Sequence, residues 1–350
     1  MNVSGFLARV SLLGLLTSAI WANEKDHKLD VIWSDVEGGA ATLFVTPRGE
    51  SILIDSGNPG VRDPERIQKA AAGAGLKRID HLIITHFHMD HFGGAAELSE
   101  LIPIGAVWDN GIPASDPDGR PSNTSFLLAI KPYRDMKVEK REVIKPGVEL
   151  PLKQLDDGPK LSVKCIAAKQ HFIELPDAAS NDCSGGTEKP KDTSDNANSV
   201  VMLIEFGDFQ LYVGGDLTWN VEKSLVCPKN LVGEVDVYQV THHGLDQSNN
   251  PLVVKALKPT VAVMSNGVTK GCEPATFATL KSTSSIQAIY QIHQNQREDR
   301  LQNNTDEEYI ANIDRNCDAV PIKMSVAADS KSYTISIEGR RRHSRTFQTK

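Results

Sequence analysis

Residues 85–91 read Thr-His-Phe-His-Met-Asp-His, and four of these seven side chains can bind metal. This stretch follows the strongly apolar residues 79–84 and is followed closely by Gly93 and Gly94. This order is expected where a buried strand ends at a loop that folds its polar side chains around a metal ion. The stretch therefore predicts a metal site at the end of a strand.

The polar side chains of this stretch are spaced to serve two ions. His86 and His88 are two residues apart and can converge on one ion, whereas Asp90 and His91 are adjacent and can turn towards a second. A solvated polar loop is the competing interpretation. The concentration of histidine and aspartate in so few residues favours the metal site.

Length and composition limit the function classes. With 350 residues, of which 40% are hydrophobic, the chain can bury a large core. The formal net charge of −7 gives no general attraction to nucleic acid or to an anionic membrane. A basic patch at residues 340–345 is interpreted as a solvated tail. An anionic substrate would therefore have to be captured locally, by metal and a few basic groups.

The N-terminus resembles a secretory signal. Arg9 is the only charge before an apolar run at residues 10–21, and residues 20–22 suit cleavage. The run is short for a membrane span, although a retained anchor is the alternative. We therefore predict a signal peptide at residues 1–22, no stable membrane span, and a secreted or periplasmic domain at residues 23–350. Five cysteines in an exported chain leave at least one unpaired.

The order of elements predicts the fold class. Strand-like runs come first, strands and helices then alternate, and this order occurs twice along the chain. Two such halves suggest two sheets packed face to face with helices outside them. Residues 176–198 are polar and are predicted to be a mobile insertion, and residues 294–318 are predicted to be irregular.

Three later residues are further ligand candidates, and each follows an apolar run. Asp216 comes after Gly214 and Gly215, which allow a sharp backbone turn, and its carboxylate could bridge two cations. His242 and His243 follow another strand-like run. The alternative for Asp216 is a turn residue that caps the next helix.

In this order, the residues resemble the motifs of the metallo-β-lactamase superfamily. The matching residues are His86, His88, Asp90 and His91, then Asp216, then His242, His243 and Gly244. The resemblance implies an α/β fold, the four-layer αββα sandwich, over nearly all of the chain after the signal. Within the superfamily, the pattern resembles the branch that includes the metal domain of the DNA-uptake channel protein ComEC/Rec2 and the phosphorylcholine esterases. The similar stretches are residues 35–40, 54–57, 196–201, 242–244 and 248–249.

The resemblance also implies roles for single residues and leaves one position open. Many superfamily members carry a third histidine before the bridging aspartate, and here His171 or Asn198 is the candidate. By analogy with the esterases, His243 is expected to bind metal and His242 to face the substrate. Asp55 is expected to orient a ligand imidazole, or alternatively to bind backbone N–H groups at a strand end.

Imidazole and carboxylate ligands together suit zinc, with manganese or iron as alternatives. We expect two zinc ions that ionise a water molecule, whose hydroxide attacks the substrate while Asp90 orients it. The predicted function is a phosphodiesterase or phosphoesterase acting on a small or cell-envelope phosphoester, without strong nucleic-acid binding. The alternatives are a lactonase or β-lactamase-type hydrolase and a non-catalytic metal-binding envelope protein.

Overall fold

The computed structural model describes residues 26–339 and 342–350, so the predicted signal peptide lies outside the described residues. Within them, the strands form two mixed sheets. The strands of the first sheet are β1 (Leu29–Trp33), β2 (Thr42–Val45), β3 (Ser51–Ile54), β4 (Ile79–Ile83), β5 (Ile104–Asp109), β6 (Lys140–Val143), β15 (Ile322–Val326), β16 (Ser332–Ile337) and β17 (His343–Gln348). Their order across the sheet is β17-β16-β15-β1-β2-β3-β4-β5-β6.

The second sheet is built from the middle of the chain. Its strands are β7 (Leu161–Ala168), β8 (His171–Phe172), β9 (Val201–Phe206), β10 (Phe209–Val213), β11 (Val237–Gln239), β12 (Val261–Met264), β13 (Ala288–His293) and β14 (Ile310–Asn312). Their order is β14-β13-β12-β11-β10-β9-β7-β8. Strands β10 to β14 run parallel to one another, so their carboxyl ends meet at one edge of the sheet.

The helices of the described residues divide between the two sheets. They are α1 (Arg62–Gly73), α2 (Met89–Phe92), α3 (Ala95–Leu101), α4 (Thr124–Asp135), α5 (Trp219–Lys223), α6 (Pro251–Leu257), α7 (Pro274–Ser282) and α8 (Arg300–Asn303). One outer hydrophobic cluster joins α1, α3 and α4 to the first sheet, and another joins α6 and α7 to the second.

Side-chain alternation along the strands separates the layers. In β1, Val31 and Trp33 belong to the core between the two sheets, whereas Ile32 belongs to the cluster beneath the helices. In β9, Met202 faces the other sheet and Leu203 faces the helices of its own side. Because successive side chains of a strand point to opposite faces, each sheet is covered on both sides. The predicted four-layer αββα sandwich is confirmed.

The structure corrects several sequence-based expectations. Residues 343–345 of the basic patch, expected to be a solvated tail, lie in β17, where Tyr290 and His343 hydrogen-bond at 3.0 Å. Residues 294–318 contain α8 and β14. The predicted mobile insertion is held by a disulfide between Cys183 and Cys227. No helix in the described part of the chain is both long and apolar enough to cross a membrane.

Candidate metal centre

The first group of site residues lies on the loop that leaves β4. Strand β4 is buried between β3 and β5, and the chain continues through His86 and His88 into the short helix α2, which carries Asp90 and His91. His86 and His91 are fully buried. The apolar run before the motif therefore anchors the loop, and the loop turns its polar side chains inward.

The second group arrives from the carboxyl ends of β10 and β11, which are neighbours in the second sheet. Asp216 follows Gly215, whose φ is +56°, and a Cβ on Gly215 would lie 2.9 Å from the Thr85 Cβ. Only glycine tolerates both this backbone conformation and this close approach. The glycine thus allows Asp216 to reach the loop that carries the first motif.

The two adjacent histidines occupy an unusual backbone conformation. His242 and His243 have φ values of 55° and 54°, in the left-handed region that residues with a Cβ rarely adopt. The turn is held from behind, because Cys272 N donates to the His243 carbonyl at 2.9 Å. Backbone strain of this kind persists where the surrounding structure enforces it, and it often marks a functional site. Here it directs both imidazoles towards the same place.

Asp216 lies at the centre of this site. Its Oδ2 is surrounded by the Nε2 atoms of four histidines, at 3.2 Å from His91, 3.4 Å from His242, 3.5 Å from His243 and 3.9 Å from His86. Asp90 completes the group, with its Oδ2 3.3 Å from His243 Nε2. The predicted convergence of the first motif with Asp216 and His243 is therefore present in the fold.

Hydrogen bonds behind His91 and His243 set their tautomers. His91 Nδ1 donates to Asp55 Oδ2 at 2.8 Å, and His243 Nδ1 donates to the Ser265 carbonyl at 3.0 Å. When both rings are neutral, each Nε2 atom therefore carries an unprotonated lone pair, and the two Nε2 atoms lie 3.2 Å apart. Two facing lone pairs repel unless a cation or a proton lies between them. The orienting contact expected of Asp55 is present, and Asp55 also accepts a hydrogen bond from Thr85 N.

His86 and His242 are oriented in the same way. Thr85 Oγ1 donates to Asp55, so it accepts from His86 Nδ1 at 3.1 Å. Ser248 Oγ donates to the Leu217 carbonyl at 2.7 Å, so it accepts from His242 Nδ1 at 3.1 Å. The Nε2 of His86 is buried without a hydrogen-bond partner among the described residues. Each of these rings therefore directs an unprotonated nitrogen towards the Asp216 carboxylate.

His88 has the opposite arrangement. Its Nε2 is 3.0 Å from Asp118 Oδ1, and its ring packs edge-on against His86 with centroids 4.6 Å apart. Because Asp118 occupies Nε2, Nδ1 is the nitrogen left for a metal ion. The sequence analysis did not identify Asp118, whose motif-free loop gave no signal of this contact.

Neither of the two residues expected as a third ligand, His171 and Asn198, lies at the candidate centre in a ligand position, and a different residue is found there. His171 is exposed in β8, and no hydrogen bond or ion pair links it to the site within residues 26–339 and 342–350. Asn198 turns its amide nitrogen to Asp195 Oδ1 at 3.0 Å. Asn196 instead places its Nδ2 3.4 Å from His242 Nε2, and its buried Oδ1 has no partner among the described atoms. The geometry gives no support to His171 or Asn198 and favours Asn196.

Charges at the site are strongly coupled. Burial would raise the pKa of the Asp216 carboxyl, but His91, His242 and His243 outweigh it and hold that pKa well below its usual range. Burial would lower the pKa of His91, but Asp216, Asp90 and Asp55 raise it well above its usual value. The centre thus favours positive charge, which a proton on His91 supplies when no metal ion does.

His242 differs from its neighbour His243. Burial lowers the pKa of His242 to about 4, against the attraction of Asp216. Burial also opposes the charge on His243, but Asp216 and Asp90 raise its pKa above the usual value. His242 is therefore a neutral imidazole with a bare Nε2 near neutral pH, which suits a metal ligand.

The donor set fits metal ions on these observations. Bare imidazole nitrogens and ionised carboxylates are the donors that zinc and similar divalent ions prefer. Asp90, His91, Asp216 and His243 offer donor atoms that all lie within 4.8 Å of one another. Next to this group, the Nε2 atoms of His86 and His242 lie 3.9 and 3.4 Å from Asp216 Oδ2, and the His88 ring packs against His86.

A second group of possible donors consists of Asp35, His293 and Cys317. His293 Nε2 lies 2.7 Å from Asp35 Oδ1, and Arg66 Nη1 donates to Asp35 Oδ2 at 3.2 Å. Arg66 already supplies the positive charge that the buried Asp35 needs. This group is a structural connection between the end of β1 and β13.

A cleft opens beside the centre. It has a volume of about 640 Å³ and is lined by Phe87, His88, Met89, Asp90, Phe92, Asp116, Pro117, Asp118, Arg120, Ser125, Phe126, Ala129, Asp192, Ser194, Asn196 and Gln247. His88, Asp90 and Asn196 face both the cleft and the centre. A small substrate in this cleft would therefore contact the candidate metal ligands.

Comparison with known proteins agrees with this geometry. Residues 35–160 match the family model described as the metallo-beta-lactamase superfamily. Residues 35–160 therefore resemble a metallo-β-lactamase domain. The predicted family resemblance is thereby confirmed, and the matched stretch includes the whole first motif.

Curated relatives cover parts of the chain. A UPF0173 metal-dependent hydrolase of Herpetosiphon aurantiacus is 42% identical over 66 residues, which is 18% of this chain and 24% of the relative. ComE operon protein 3 of Bacillus subtilis is 25% identical over 202 residues, 55% of this chain and 20% of the relative. Competence protein ComA of Neisseria gonorrhoeae is 23% identical over 238 residues, 67% of this chain and 26% of the relative. These matches span about a quarter of the length of each relative.

Proposed function

We propose that the protein is a metal-dependent hydrolase that binds two divalent ions, zinc in the first instance and manganese as the alternative, and cleaves phosphoesters. One observation carries the proposal. Buried imidazoles, each fixed through Nδ1, direct bare Nε2 atoms at the Asp216 carboxylate from distances of 3.2 to 3.9 Å. Burying this many unpaired nitrogen lone pairs is costly unless cations satisfy them.

The chain would hold the two ions in adjacent positions. Asp90, His91 and His243 would hold one ion, and His86, His88 and His242 would hold the other. Asp216 lies between the two groups and would bind both ions. When bound, such ions lower the pKa of water and polarise the ester that is cleaved.

The protein residues orient the reaction. Asp90 lines the cleft and the centre at once, so its carboxylate can accept a proton from attacking water and hold that water in line. His242, expected from the family resemblance to face the substrate, is buried with its Nε2 3.4 Å from Asp216. A ligand role for His242 therefore agrees better with the structure than a substrate contact.

Several observations support a phosphoester as the substrate. Two adjacent cations suit the charge of a phosphoryl group. The cleft of about 640 Å³ suits a small molecule or a protruding envelope group. The formal net charge of −7 does not favour sequence-independent binding of duplex DNA.

We also propose that the protein acts outside the cytoplasm. The disulfide between Cys183 and Cys227 links residues 44 apart in sequence and is typical of an oxidising compartment. Together with the predicted signal at residues 1–22, it supports a secreted or periplasmic protein.

The decisive experiment combines metal analysis with a substrate panel. The purified protein should contain about two zinc or manganese ions per chain and should hydrolyse bis-p-nitrophenyl phosphate faster than nitrocefin or an acyl-homoserine lactone. A chelator should abolish this activity, and added zinc or manganese should restore it. Preferred turnover of nitrocefin or the lactone would replace the phosphoester assignment.

Asp90→Ala tests the role of the metal ligands. Because even outer partners of metal ligands contribute about 10–100-fold, loss of a ligand should lower turnover by at least about 100-fold. Asp135→Ala is the matched control, since Asp135 is an exposed carboxylate paired with Lys131 on α4. Circular dichroism should be unchanged for both variants. Full activity of Asp90→Ala would contradict the mechanism.

A further inference from the structure

Lys270 forms an ion pair at the candidate centre, and no sequence motif predicted this contact. Its Nζ contacts Asp90 Oδ2, the oxygen that also lies 3.3 Å from His243 Nε2. The Lys270 side chain is 39% exposed, whereas that of Asp90 is 21% exposed. Lys270 therefore approaches the centre from the solvent side, on a flexible stem.

The loop that presents Lys270 is held firmly in place. Gly267 N donates to the Lys270 carbonyl at 3.0 Å and closes a tight turn. Behind the turn, the Arg297 guanidinium donates to the carbonyls of Gly271 and Cys272 at 2.6 and 3.2 Å. The backbone position of Lys270 is therefore fixed, while its charged end can move.

The contact with Asp90 conflicts with metal binding. A divalent ion bound by Asp90 and His243 would need Asp90 Oδ2, and it would repel the ammonium group that is now in contact with that oxygen. The ammonium group would move away from Asp90, but its fixed backbone would keep it beside the ions. There it would be a free cation that faces an incoming substrate.

We propose that Lys270 determines the specificity of the site for anionic substrates, by binding a phosphoryl oxygen next to the metal ions. This inference rests on the proposed function and deepens it. The cleft is lined by the carboxylates Asp116, Asp118 and Asp192 and by the cation Arg120, which pairs with Asp116 and Asp118. The negative charge that remains repels anions, so a further cation beside the ions would offset it. Lys270 is placed to supply that charge where phosphate would meet the ions.

The test compares Lys270→Met and Lys270→Arg with the wild-type protein, each loaded with zinc. Titration calorimetry with inorganic phosphate measures anion binding without turnover. Lys270→Met keeps the length of the stem and should weaken phosphate binding by about tenfold, whereas Lys270→Arg should restore most of it. The KM for bis-p-nitrophenyl phosphate should rise in parallel with the loss of phosphate affinity.

Two controls separate this role from others. Lys223→Met removes a lysine paired with Glu188 on the surface and should leave phosphate binding unchanged. Zinc stoichiometry, measured by elemental analysis, should be equal in all variants. Phosphate binding of Lys270→Met within about twofold of wild type would overturn the inference, as would a parallel loss of zinc.

The outcomes also separate this inference from the proposed function. If the zinc-loaded protein binds phosphate through Lys270 but hydrolyses no ester, the proposed function fails and the anion site stands. If the protein hydrolyses phosphodiesters and Lys270→Met leaves both phosphate binding and KM unchanged, the proposed function stands and the role of Lys270 fails.

Discussion

The two halves of the candidate centre are built differently. The first half comes from residues 85–91, where the predicted ligands His86, His88, Asp90 and His91 lie on one loop after β4. The second half comes from two strand ends, where Asp216 follows β10 and His243 follows β11. The first set of residues is close in space because it is close in sequence. The second set is brought together because β10 and β11 are parallel neighbours, so that their carboxyl ends lie side by side.

The supporting residues differ in the same way. Asp55, which orients His91, lies in the first sheet at the end of the neighbouring strand β3. Ser248, which orients His242, lies in a stretch that the family resemblance marks, but nothing in the sequence predicts its contact. The Ser265 carbonyl, which orients His243, follows β12 and belongs to no motif. The comparison teaches that candidate ligands can be predicted from a motif, whereas the contacts that set their tautomers depend on the folded chain.

The largest change in zinc affinity is expected when the residues that orient the candidate ligand histidines are replaced. Asp55→Asn in the first half and Ser248→Ala in the second should each lower zinc affinity by about 10–100-fold. The first replaces the carboxylate that orients His91 with a neutral amide, and the second removes the hydroxyl that orients His242. Asp55→Asn should have the greater effect, since it also removes negative charge near His91. Competition with a chromophoric chelator measures both affinities.

Ser99→Ala is a suitable control for the serine variant. Ser99 Oγ donates to the Ala96 carbonyl within α3, away from the centre. Zinc affinity should therefore be unchanged. If Ser248→Ala binds zinc as tightly as Ser99→Ala, His242 is not held by Ser248 in the way that the hydrogen bonds indicate.

An effect on folding stability, rather than on zinc affinity, is expected from a carboxyl buried behind the second half. Glu222, in α5, is fully buried and accepts a hydrogen bond from Asn250 N at 3.0 Å, and burial raises the pKa of its side chain to about 8. Between pH 4.5 and 8, the unfolded chain loses this proton while the folded chain keeps it. The stabilising contribution is therefore complete below the unfolded pKa and is lost as pH rises through the folded pKa.

Urea unfolding of the zinc-free protein at pH 5.5 and pH 8 measures this contribution. The free energy of unfolding should fall by about 3 kcal/mol more in the wild type than in Glu222→Gln. Glu234→Gln is the control, because Glu234 is half-exposed and Lys258 lowers the pKa of its carboxyl, so it is ionised throughout this range in both states. An equal pH dependence in wild type and Glu222→Gln would show that Glu222 is ionised in the folded protein.

The sequence predicted the layers and the principal ligands because both depend on local patterns. A run of apolar residues marked strands such as β9, and the first motif marked its own loop. Strand β17 was missed because its outward-facing residues are polar and only Phe347 is well buried. Lys270 and Asp118 were missed because each reaches the site from a loop, and such contacts depend on tertiary structure that spacing does not encode.

The smallest expected effect concerns the third-ligand position, where pattern and structure disagree. His171 was a candidate because it follows β7, but it is exposed, whereas Asn196 is buried beside His242. His171→Ala should leave zinc stoichiometry and affinity within about twofold of wild type. Asn196→Ala should lower affinity by up to about tenfold, because a neutral amide contributes less than a charged ligand. Elemental analysis and chelator competition on both variants decide between His171 and Asn196. A loss of one zinc in His171→Ala would mean that β8 moves to the centre on metal binding. The second half of the site would then be assembled only when the ions are present.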